Sequence, residues 1–368
     1  MNDDHVRNVY PYQQTFNFHC SKFDQNLCKE ICLMKSYVYP FLISFIKKIY
    51  RRICHSPESI KKRIDIAHLQ HACIKKTEFI ADIKKAINNK KGYAAGKLGN
   101  APPHWLYYEI LLKKEKDSQK IINFEKDLIF HGFNQAGIFP AIPSFYLEFN
   151  KHYIKYLRNI DCLGICYQPR ELKIINYYQL KNKFIHYLYQ EPDRSSPSIE
   201  ENCYLQYFRD KKVLIICPFA ELLKERATKD IFEGVWSKTE KKWFYPRKVE
   251  ALELPWGFSI ETHNKYSTAL DLFEYLICEI DKKDFEIALI GAAGLAIPIA
   301  SYIKTTGKLA IDLGGHLQVL FGVIGKRWRN REDWERDYFN EYWIDMPEKY
   351  KPKEVSAGMK VCDDGDYW

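Results

Sequence analysis

Residues 285–322 read FEIALIGAAGLAIPIASYIKTTGKLAIDLGGHLQVLFG, in which two apolar runs each end in a glycine turn and an amphipathic segment lies between them. A strand, helix and strand in this order form a βαβ unit, which places both strands in one parallel sheet. The apolar run KKVLIICPF at 211–219 precedes this unit and is typical of a strand that is covered on both faces. The order of elements over 211–324 therefore predicts an α/β protein with a Rossmann-like parallel sheet and flanking helices.

A further strand is expected at 93–97, within the segment KGYAAGKLGNAPPHW. Gly99 and Asn100 would end this strand, and the prolines at 102 and 103 are expected to stop regular structure there. Helices are expected in WLYYEILLKKEKD, in the second half of 137–161 and in YSTALDLFEYLICEIDKKD, because apolar residues recur there at helical spacing.

The positive charge of the chain is concentrated near its start. Six of the nine net positive charges lie in residues 1–80, which hold 13 Lys and Arg against 7 Asp and Glu. The remainder is close to balanced, which argues against a nucleic-acid groove on the main domain. We expect a basic helical extension at 1–80 and an α/β domain at 81–345, with a linker-like insertion near 191–202. A tail at 346–368 is expected to pack on the domain.

The apolar segment YVYPFLISFI, which KKIYRRI follows, is too short for a membrane span of roughly 20 residues. Residues 41–53 are typical of a basic amphipathic helix that lies on an anionic membrane. The alternative is a helix that docks its apolar face on the main domain. The polar start is not a secretory signal, and 11 Cys without a CxxC pair fit reduced thiols. We therefore expect a cytoplasmic protein, which would make peripheral contact with the inner face of the cytoplasmic membrane under the first of the two interpretations of residues 41–53.

Candidate site residues follow from the ends of the expected strands, because open parallel sheets bind ligands beyond the carboxyl ends of their strands. The turns at these ends contain Lys97, Gly99, Asn100, Glu221, Gly291, Gly294, Asp312, Gly314, Gly315 and His316. A glycine turn before a helix lets backbone N–H groups approach an anion, which the helix N-terminus also attracts. The turns therefore predict a phosphate or nucleotide site, and backbone geometry alone is the alternative reason for the glycines.

Three side chains at these turns have both a functional and a structural interpretation. Glu221 would act as a general base for an acceptor hydroxyl, or would only favour the first turn of its helix. Asp312 would bind a sugar, a ribose or a metal, or would cap the turn that follows it. His316 would hydrogen-bond the ligand, or would cap the helix that it starts.

The segment GKRWRNREDWER at 325–336 is strongly basic. Arginine binds phosphate bidentately, so Lys326 and Arg327, together with the arginines at 329 and 331, are candidates for a diphosphate clamp. The alternative is a solvated surface of mixed charge. Cys162 and Cys166 lie four residues apart, a helical spacing that would suit half a metal site. No His lies at a matching spacing, so the residues alone assign no metal ligand.

The segment from Ile287 to Trp328 resembles a motif of a family of bacterial proteins with a GT-D-type glycosyltransferase fold, many of them from surface-polysaccharide gene clusters. The segments KLGN, AGIFP and KKVLIICPFAE and the ending NEYWIDMPEKYKP…DYW support the resemblance, which covers about residues 90–368. The family positions that this chain matches are Lys97, Gly99, Glu221, Gly291, Gly314, Gly315, Lys326, Arg327 and Trp328.

The resemblance implies an enzyme that transfers a sugar from a nucleotide-sugar donor to a polysaccharide or lipid-linked acceptor in cell-surface glycan biosynthesis. It also implies a divalent cofactor, Mn²⁺ or Mg²⁺. The first motif of the family carries an acidic residue three positions after its glycine, where this chain has Pro102. The alternative is therefore a non-catalytic sugar-nucleotide-binding or polysaccharide-assembly module of the same fold. The GxxG spacing at Gly291 differs from GxGxxG, and a Rossmann-type NAD- or SAM-dependent enzyme is a third interpretation.

Overall fold

Seven parallel strands form a central sheet in a computed structural model, which describes residues 65–190, 203–239, 245–329, 331–361 and 367–368. In chain order these strands are β1 (Tyr93–Lys97), β2 (Cys162–Ile165), β3 (Lys183–His186), β4 (Lys212–Cys217), β5 (Lys248–Glu253), β6 (Ile287–Ile290) and β7 (Leu309–Asp312). Their order across the sheet is β3-β2-β1-β7-β6-β4-β5, and every neighbouring pair is parallel. A separate short pair joins β8 (Val323–Ile324) to β9 (Ile344–Asp345).

Helices alternate with the strands along the chain. They are α1 (Lys76–Asn88), α2 (Pro102–Lys114), α3 (Ser118–Ile129), α4 (Pro143–Asn159), α5 (Pro169–Tyr178), α6 (Ala220–Glu225), α7 (Lys229–Val235), α8 (Ile260–His263), α9 (Ala269–Asp281), α10 (Ala296–Thr305), α11 (His316–Leu320), α12 (Lys326–Arg329), α13 (Glu332–Asp337) and α14 (Lys353–Ser356). Within the described residues, none of the helices is long and apolar enough to cross a membrane.

The core lies on both faces of the sheet. Along β4, Val213 and Ile215 belong to one apolar cluster, whereas Leu214 and Ile216 belong to another on the opposite face. Successive side chains of a strand point to opposite faces, so a strand buried on both sides needs apolar residues at every position. The near-continuous apolar run of β4 has this physical cause.

The predicted α/β class with a Rossmann-like parallel sheet and flanking helices is confirmed. The strands predicted from the apolar runs are present as β1, β4, β6 and β7. Strands β2 and β3 were not predicted. Strand β5 falls in the segment WSKTEKKWFYPRKVEALELPWGFSI, for which mostly loop and short strand are expected. Cys162 is a buried residue of β2, so the predicted helical spacing to Cys166 is wrong.

The prolines at 102 and 103 do not stop regular structure, and that prediction is wrong. They occupy the first two positions of α2, and both are buried. The first N–H groups of a helix have no partner within it, so a proline there removes no helical hydrogen bond. The turn after β1 therefore leads directly into a helix.

The chain leaves β4 and β6 in opposite directions across the sheet. From β4 it passes outward to β5, whereas from β6 it returns inward to β7. Helices α6 and α7 after β4 pack in one cluster, and α10 after β6 packs in the other. Such a reversal between neighbouring strands opens a crevice at their carboxyl ends.

The predicted membrane-facing segment 41–53 and the linker-like segment 191–202 lie outside the described residues, as do residues 1–64 of the predicted extension. Helix α1 continues past residue 80, where that extension was expected to end. Its Phe79 and Ile83 are buried in the same cluster as Tyr93 and Ala95 of β1.

Candidate functional site

A cleft lies at the carboxyl edge of the sheet, where β4, β5, β6 and β7 end. Its empty space, including the part open to solvent, is about 610 Å³. The ends of these four strands line it together with residues 135–137 and Tyr367. Gly291 and Gly314 are the two predicted site residues in this lining. We call it the first cleft, and it occupies the crevice that the reversal between β4 and β6 opens.

The first glycine turn, residues 291–294, follows β6 and packs closely against other protein segments. The N–H of Gly291 donates to the carbonyl of Ile216 at 2.8 Å, and that of Gly294 donates to the carbonyl of Ala136 at 3.1 Å. A Cβ on Gly294 would lie 2.6 Å from Cδ1 of Ile138 and 2.9 Å from the Ala136 carbonyl oxygen. Both glycines therefore allow other segments of the same chain to pack closely against this turn.

Two other N–H groups of the first glycine turn, those of Ala292 and Ala293, have no acceptor among the described residues. Ala292 has φ −116° and ψ 23°, and Ala293 is left-handed with φ 43°. A turn in which a residue with negative φ precedes a left-handed one directs successive N–H groups to one side, and such turns form concavities that attract anions. Both residues line the first cleft. The alanines, rather than the glycines, are the donors that this turn offers to a ligand.

The second glycine turn, residues 314–315, follows β7 and is more open. Gly314 has φ +54°, and a Cβ on it would meet nothing within 4 Å. A Cβ on Gly315 would lie 3.1 Å from Nη1 of Arg327 and 3.4 Å from Cε1 of Tyr367. Glycine is therefore needed at 314 for the left-handed backbone conformation, and at 315 because the guanidinium of Arg327 lies close to the backbone. His316, which follows, is buried at the start of α11 and lines neither this cleft nor the second one described below.

The buried carboxylate of Asp312 accepts hydrogen bonds from the second glycine turn and from the end of β1. Its Oδ1 accepts from the N–H of Gly314 at 2.9 Å, and its Oδ2 accepts from the N–H of Lys97 at 3.3 Å. Burial raises the pKa of Asp312 to about 6, while the Lys97 charge and the two N–H donors oppose that rise. Nζ of Lys97 itself donates to the carbonyl of Leu313 at 3.3 Å. This geometry favours the turn-capping interpretation of Asp312, and a direct role in catalysis stays a prediction.

The predicted basic clamp is divided between different partners. Arg329 pairs with Asp345, and Arg331 pairs with Asp333 at 2.6 Å. Lys326 is exposed and donates its backbone N–H to the carbonyl of Trp368 at 3.1 Å.

Arg327 is the member of this basic group that reaches a glycine turn. Its guanidinium lies beside Gly315, 5.5 Å from the ring centroid of Trp328 and 6.0 Å from that of Tyr367. The aromatic contacts hold the guanidinium beside the second glycine turn. Arg327 does not itself line the first cleft, but Tyr367, which it contacts, does.

The turn after β1 lies outside the lining of the first cleft. Gly99 has φ +57° with open space around it, and Asn100 is exposed. The carbonyl of Asn100 accepts from Nδ1 of His104 at 3.0 Å. Burial lowers the pKa of His104 to about 3, with smaller contributions from the charges of His131 and Arg170.

A second cleft, which contains Glu221, adjoins the first one. Its empty space, including the part open to solvent, is about 840 Å³. Three acidic and two basic residues supply its charged lining, namely Glu221, Glu225, Glu253, Lys349 and Lys351. Glu221 pairs with Lys224 at 3.1 Å, and its N–H donates to Oε1 of Glu253 at 3.4 Å. Burial raises the pKa of Glu253, and the charges of Glu221 and Glu225 raise it further.

The two clefts meet at Pro218 and Trp256, which line both. Glu221 and Asp312, the two predicted catalytic carboxylates, lie on opposite sides of β6 in the sheet order. At a strand spacing of about 4.8 Å, β4 and β7 are roughly 10 Å apart, and Glu221 lies beyond the end of β4, in the first turn of α6. Glu221 lines the second cleft, whereas Asp312 is hydrogen-bonded to Gly314, which lines the first.

The residues present do not fit the divalent metal that the family resemblance implies. Pro102 occupies the expected acidic position, and both oxygens of Asp312 already accept backbone N–H groups. No group of three or more His, Cys, Asp or Glu within the described residues is arranged to hold a metal ion. Mn²⁺ and Mg²⁺ prefer sets of oxygen ligands, and the described residues at this edge of the sheet do not assemble one, so a metal cofactor stays a prediction.

The aromatic residues that line the first cleft were not among the predicted site residues. Trp256 lies 6.0 Å from Tyr367 and 5.4 Å from Trp368 between ring centroids, and Phe219 lies 6.3 Å from Tyr367. The segment LELPWGF after β5 carried a usable signal, because an aromatic residue that follows a strand lies at the ligand edge. Gln135 and Tyr367 had no such signal, since they join the cleft from distant parts of the chain.

Comparison of this chain with protein-family models, with curated proteins and with solved structures finds no match. The resemblance of residues 90–368 to the GT-D-type family therefore rests on the sequence motifs alone.

Proposed function

We propose that this chain is a glycosyltransferase of the GT-D type, which transfers a sugar from a nucleotide-sugar donor to a polysaccharide or lipid-linked acceptor in cell-surface glycan biosynthesis. The observation that carries the proposal is the composition of the first cleft. Aromatic rings line it together with two backbone N–H groups that have no acceptor among the described residues, and a guanidinium lies nearby, beside Gly315 and Tyr367. Aromatic faces suit a nucleotide base, and backbone N–H groups with a guanidinium suit a diphosphate.

In this proposal the nucleotide lies in the first cleft. Its base packs on the rings of Trp256 and Tyr367, which present large apolar faces. Its diphosphate approaches the N–H groups of Ala292 and Ala293 and the guanidinium of Arg327. Cationic and backbone donors stabilise the charge that develops on the leaving diphosphate.

The acceptor enters through the second cleft, which shares Trp256 with the first. Glu221 lies in the first turn of α6, shortly after β4 ends, and takes the proton of the acceptor hydroxyl as a general base. Glu253 lies beside it, and its raised pKa makes it a second candidate for the same proton. Asp312 acts as a positioning residue, because it fixes the N–H of Gly314. A lipid-linked acceptor would suit the basic segment 41–53, which lies outside the described residues.

The proposal is tested by thermal unfolding of the protein with UDP, GDP and CMP compounds and the matching nucleotide-sugars, each with and without Mn²⁺ or Mg²⁺. A ligand that binds only the folded state raises its apparent stability by mass action, by about 2.7 kcal/mol at a hundredfold excess over its Kd. We expect stabilisation by one class of nucleotide. A folded protein that none of these compounds stabilises would exclude the nucleotide site.

The second candidate function is a non-catalytic sugar-nucleotide-binding or polysaccharide-assembly module of the same fold. The observation that favours it is the combination of Pro102 with an Asp312 whose oxygens are already occupied. The two candidates differ in turnover. Release of free nucleotide from a bound nucleotide-sugar, lost in Glu221→Gln, indicates the enzyme, whereas binding without release indicates the module. Stabilisation by NAD or S-adenosylmethionine alone would favour the Rossmann-type alternative.

A further inference from the structure

Three polar side chains connect the turn after β1 to the first cleft. Nδ1 of His104 donates to the carbonyl of Asn100 at 3.0 Å, which fixes the ring of His104. The rings of His104 and His131 are stacked, with centroids 3.8 Å apart and planes 19° apart. Nδ1 of His131 donates to Oε1 of Gln135, which lines the first cleft. The carboxamide of Gln135 is therefore oriented by a series of contacts that begins at the N-terminal end of α2.

The backbone that carries Gln135 is equally constrained. Residues Phe130–Gln135 form a π-helical turn, a rare conformation that is frequent at functional sites. Gly132 of this turn packs directly against the ring of Tyr146. Gly137 follows and touches the backbone of Gly257, where a Cβ would collide with the Gly137 carbonyl. This contact places the Gln135 segment against the segment that carries Trp256.

Gln135 offers one kind of hydrogen bond to the cleft. Its Oε1 is occupied by the His131 donor, and no described residue accepts from its Nε2. It is the only carboxamide among the described residues that line the first cleft, and its neighbours there are mainly apolar and aromatic. The cleft therefore combines a surface for a planar ring with an N–H donor held in a fixed orientation.

We propose that Gln135 selects the base of the bound nucleotide by donating from Nε2 to a ring carbonyl. This inference rests on the proposed function, since it assigns the base to the first cleft. A donor at that point favours uracil or guanine, whose ring edge carries a carbonyl oxygen. It disfavours cytosine or adenine, which carry an amino group at the corresponding position. That amino group and Nε2 of Gln135 are both donors, so no hydrogen bond would form between them. His131 acts through Gln135 as a positioning residue.

The test compares nucleoside diphosphates that differ at this group, UDP with CDP and GDP with ADP, by calorimetry on the full chain. A buried neutral hydrogen bond, or an unpaired donor in its place, changes affinity by about tenfold. We expect the carbonyl-bearing member of the pair that binds to bind about ten times more tightly than its amino-bearing partner.

Two substitutions of Gln135 make opposite changes. In Gln135→Glu one carboxylate oxygen still accepts from His131 and the other presents an acceptor, so the preference should reverse toward CDP or ADP. In Gln135→Leu neither group remains, so the two members of each pair should bind alike. Thermal unfolding without ligand checks that each variant is folded, and either variant alone decides the question if the other does not fold.

Two control variants separate base selection from phosphate binding. His131→Phe retains a ring to stack on His104 but removes the donor to Gln135, so it should lower the ratio of affinities. Arg327→Ala should weaken both members of a pair by the same factor and leave the ratio unchanged.

An affinity ratio near one in the wild-type protein, or a ratio that Gln135→Glu does not change, would overturn the role of Gln135 and leave the nucleotide site intact. If none of the four diphosphates binds a folded protein, the proposed function fails, and this inference fails with it.

Discussion

The two glycine turns at the carboxyl edge of the sheet are similar in sequence but differ in their surroundings. In the first, residues 291–294, the two glycine N–H groups bond to protein carbonyls, and a Cβ on Gly294 would collide with Ile138. In the second, residues 314–315, Gly314 is left-handed beside open space, and Gly315 lies under the guanidinium of Arg327. Glycine therefore permits close packing in the first turn. In the second turn it permits the left-handed backbone of Gly314 and the close approach of Arg327 to Gly315.

A glycine-rich turn in a sequence can therefore indicate either of two things, close packing against another segment or a backbone conformation that only glycine adopts easily. A turn whose N–H groups are satisfied by protein offers a phosphate little, whatever its spacing. In the first turn only the alanines keep N–H groups for a ligand, whereas the second turn has a cation beside it. The four predictions below, ordered by expected effect, test this contrast.

Gly294→Ala should have the largest effect, because its new methyl group meets both the Ile138 side chain and the Ala136 carbonyl. Overpacking of this kind lowers the free energy of unfolding by about 3 kcal/mol. Urea denaturation of the variant and the wild-type protein measures the difference. A stability equal to that of the wild-type protein would show that the first turn is not tightly packed.

Asp312 should make the stability of the protein depend on pH. Its folded pKa is about 6 because of burial, whereas an unfolded aspartate titrates near pH 4. The folded state then binds more protons between these values, so stability falls as pH rises from about 4 to 6, by about 2 kcal/mol.

Urea denaturation at a series of pH values, for the wild-type protein and for Asp312→Asn, isolates this contribution. The difference is needed because burial also raises the pKa of Glu171 to about 7, which acts in the same sense. Parallel stability curves for the two proteins would contradict the prediction.

Arg327→Ala should weaken binding of a nucleoside diphosphate by about tenfold, because a charge-assisted hydrogen bond to phosphate is lost. Lys326→Ala is the matched control, since Lys326 is adjacent and exposed and only Arg327 lies beside Gly315. Calorimetry with the nucleotide that stabilises the wild-type protein measures both. Equal losses in the two variants would indicate a diffuse basic surface instead of a defined contact.

Gly314→Ala should have the smallest effect, a loss of about 1 kcal/mol in the free energy of unfolding. The new methyl group meets nothing within 4 Å, so only the left-handed backbone, with φ +54°, opposes it. The same denaturation experiment applies. A loss larger than that of Gly294→Ala would reverse the contrast between the turns.

Much of the fold was predictable because its strongest signals are local. Strands such as β4 and β6 must be apolar on both faces, so they appear in the sequence as short apolar runs bounded by glycine or proline. Strands β2 and β3 were missed because their runs are short and follow helices without such boundaries. The prolines that begin α2 were misread, since proline breaks a helix interior but is accepted in its first turn.

The candidate site was predicted less completely, because sequence position gives the strand that a residue follows but not the direction of its side chain. Asp312 ends a strand at the ligand edge, yet its oxygens turn to the N–H groups of Lys97 and Gly314. Arg327 and Arg329 are neighbours in sequence, but one reaches the second glycine turn and the other pairs with Asp345.

The sequence by itself determined the parallel sheet and the edge where a ligand would bind, because both follow from the order of apolar runs and turns. Only the tertiary structure decided which glycines face protein, that Asp312 is buried, and that Gln135, Trp256 and Tyr367 line one cleft. These outcomes depend on contacts between residues more than a hundred positions apart in the chain, and no local pattern encodes such contacts.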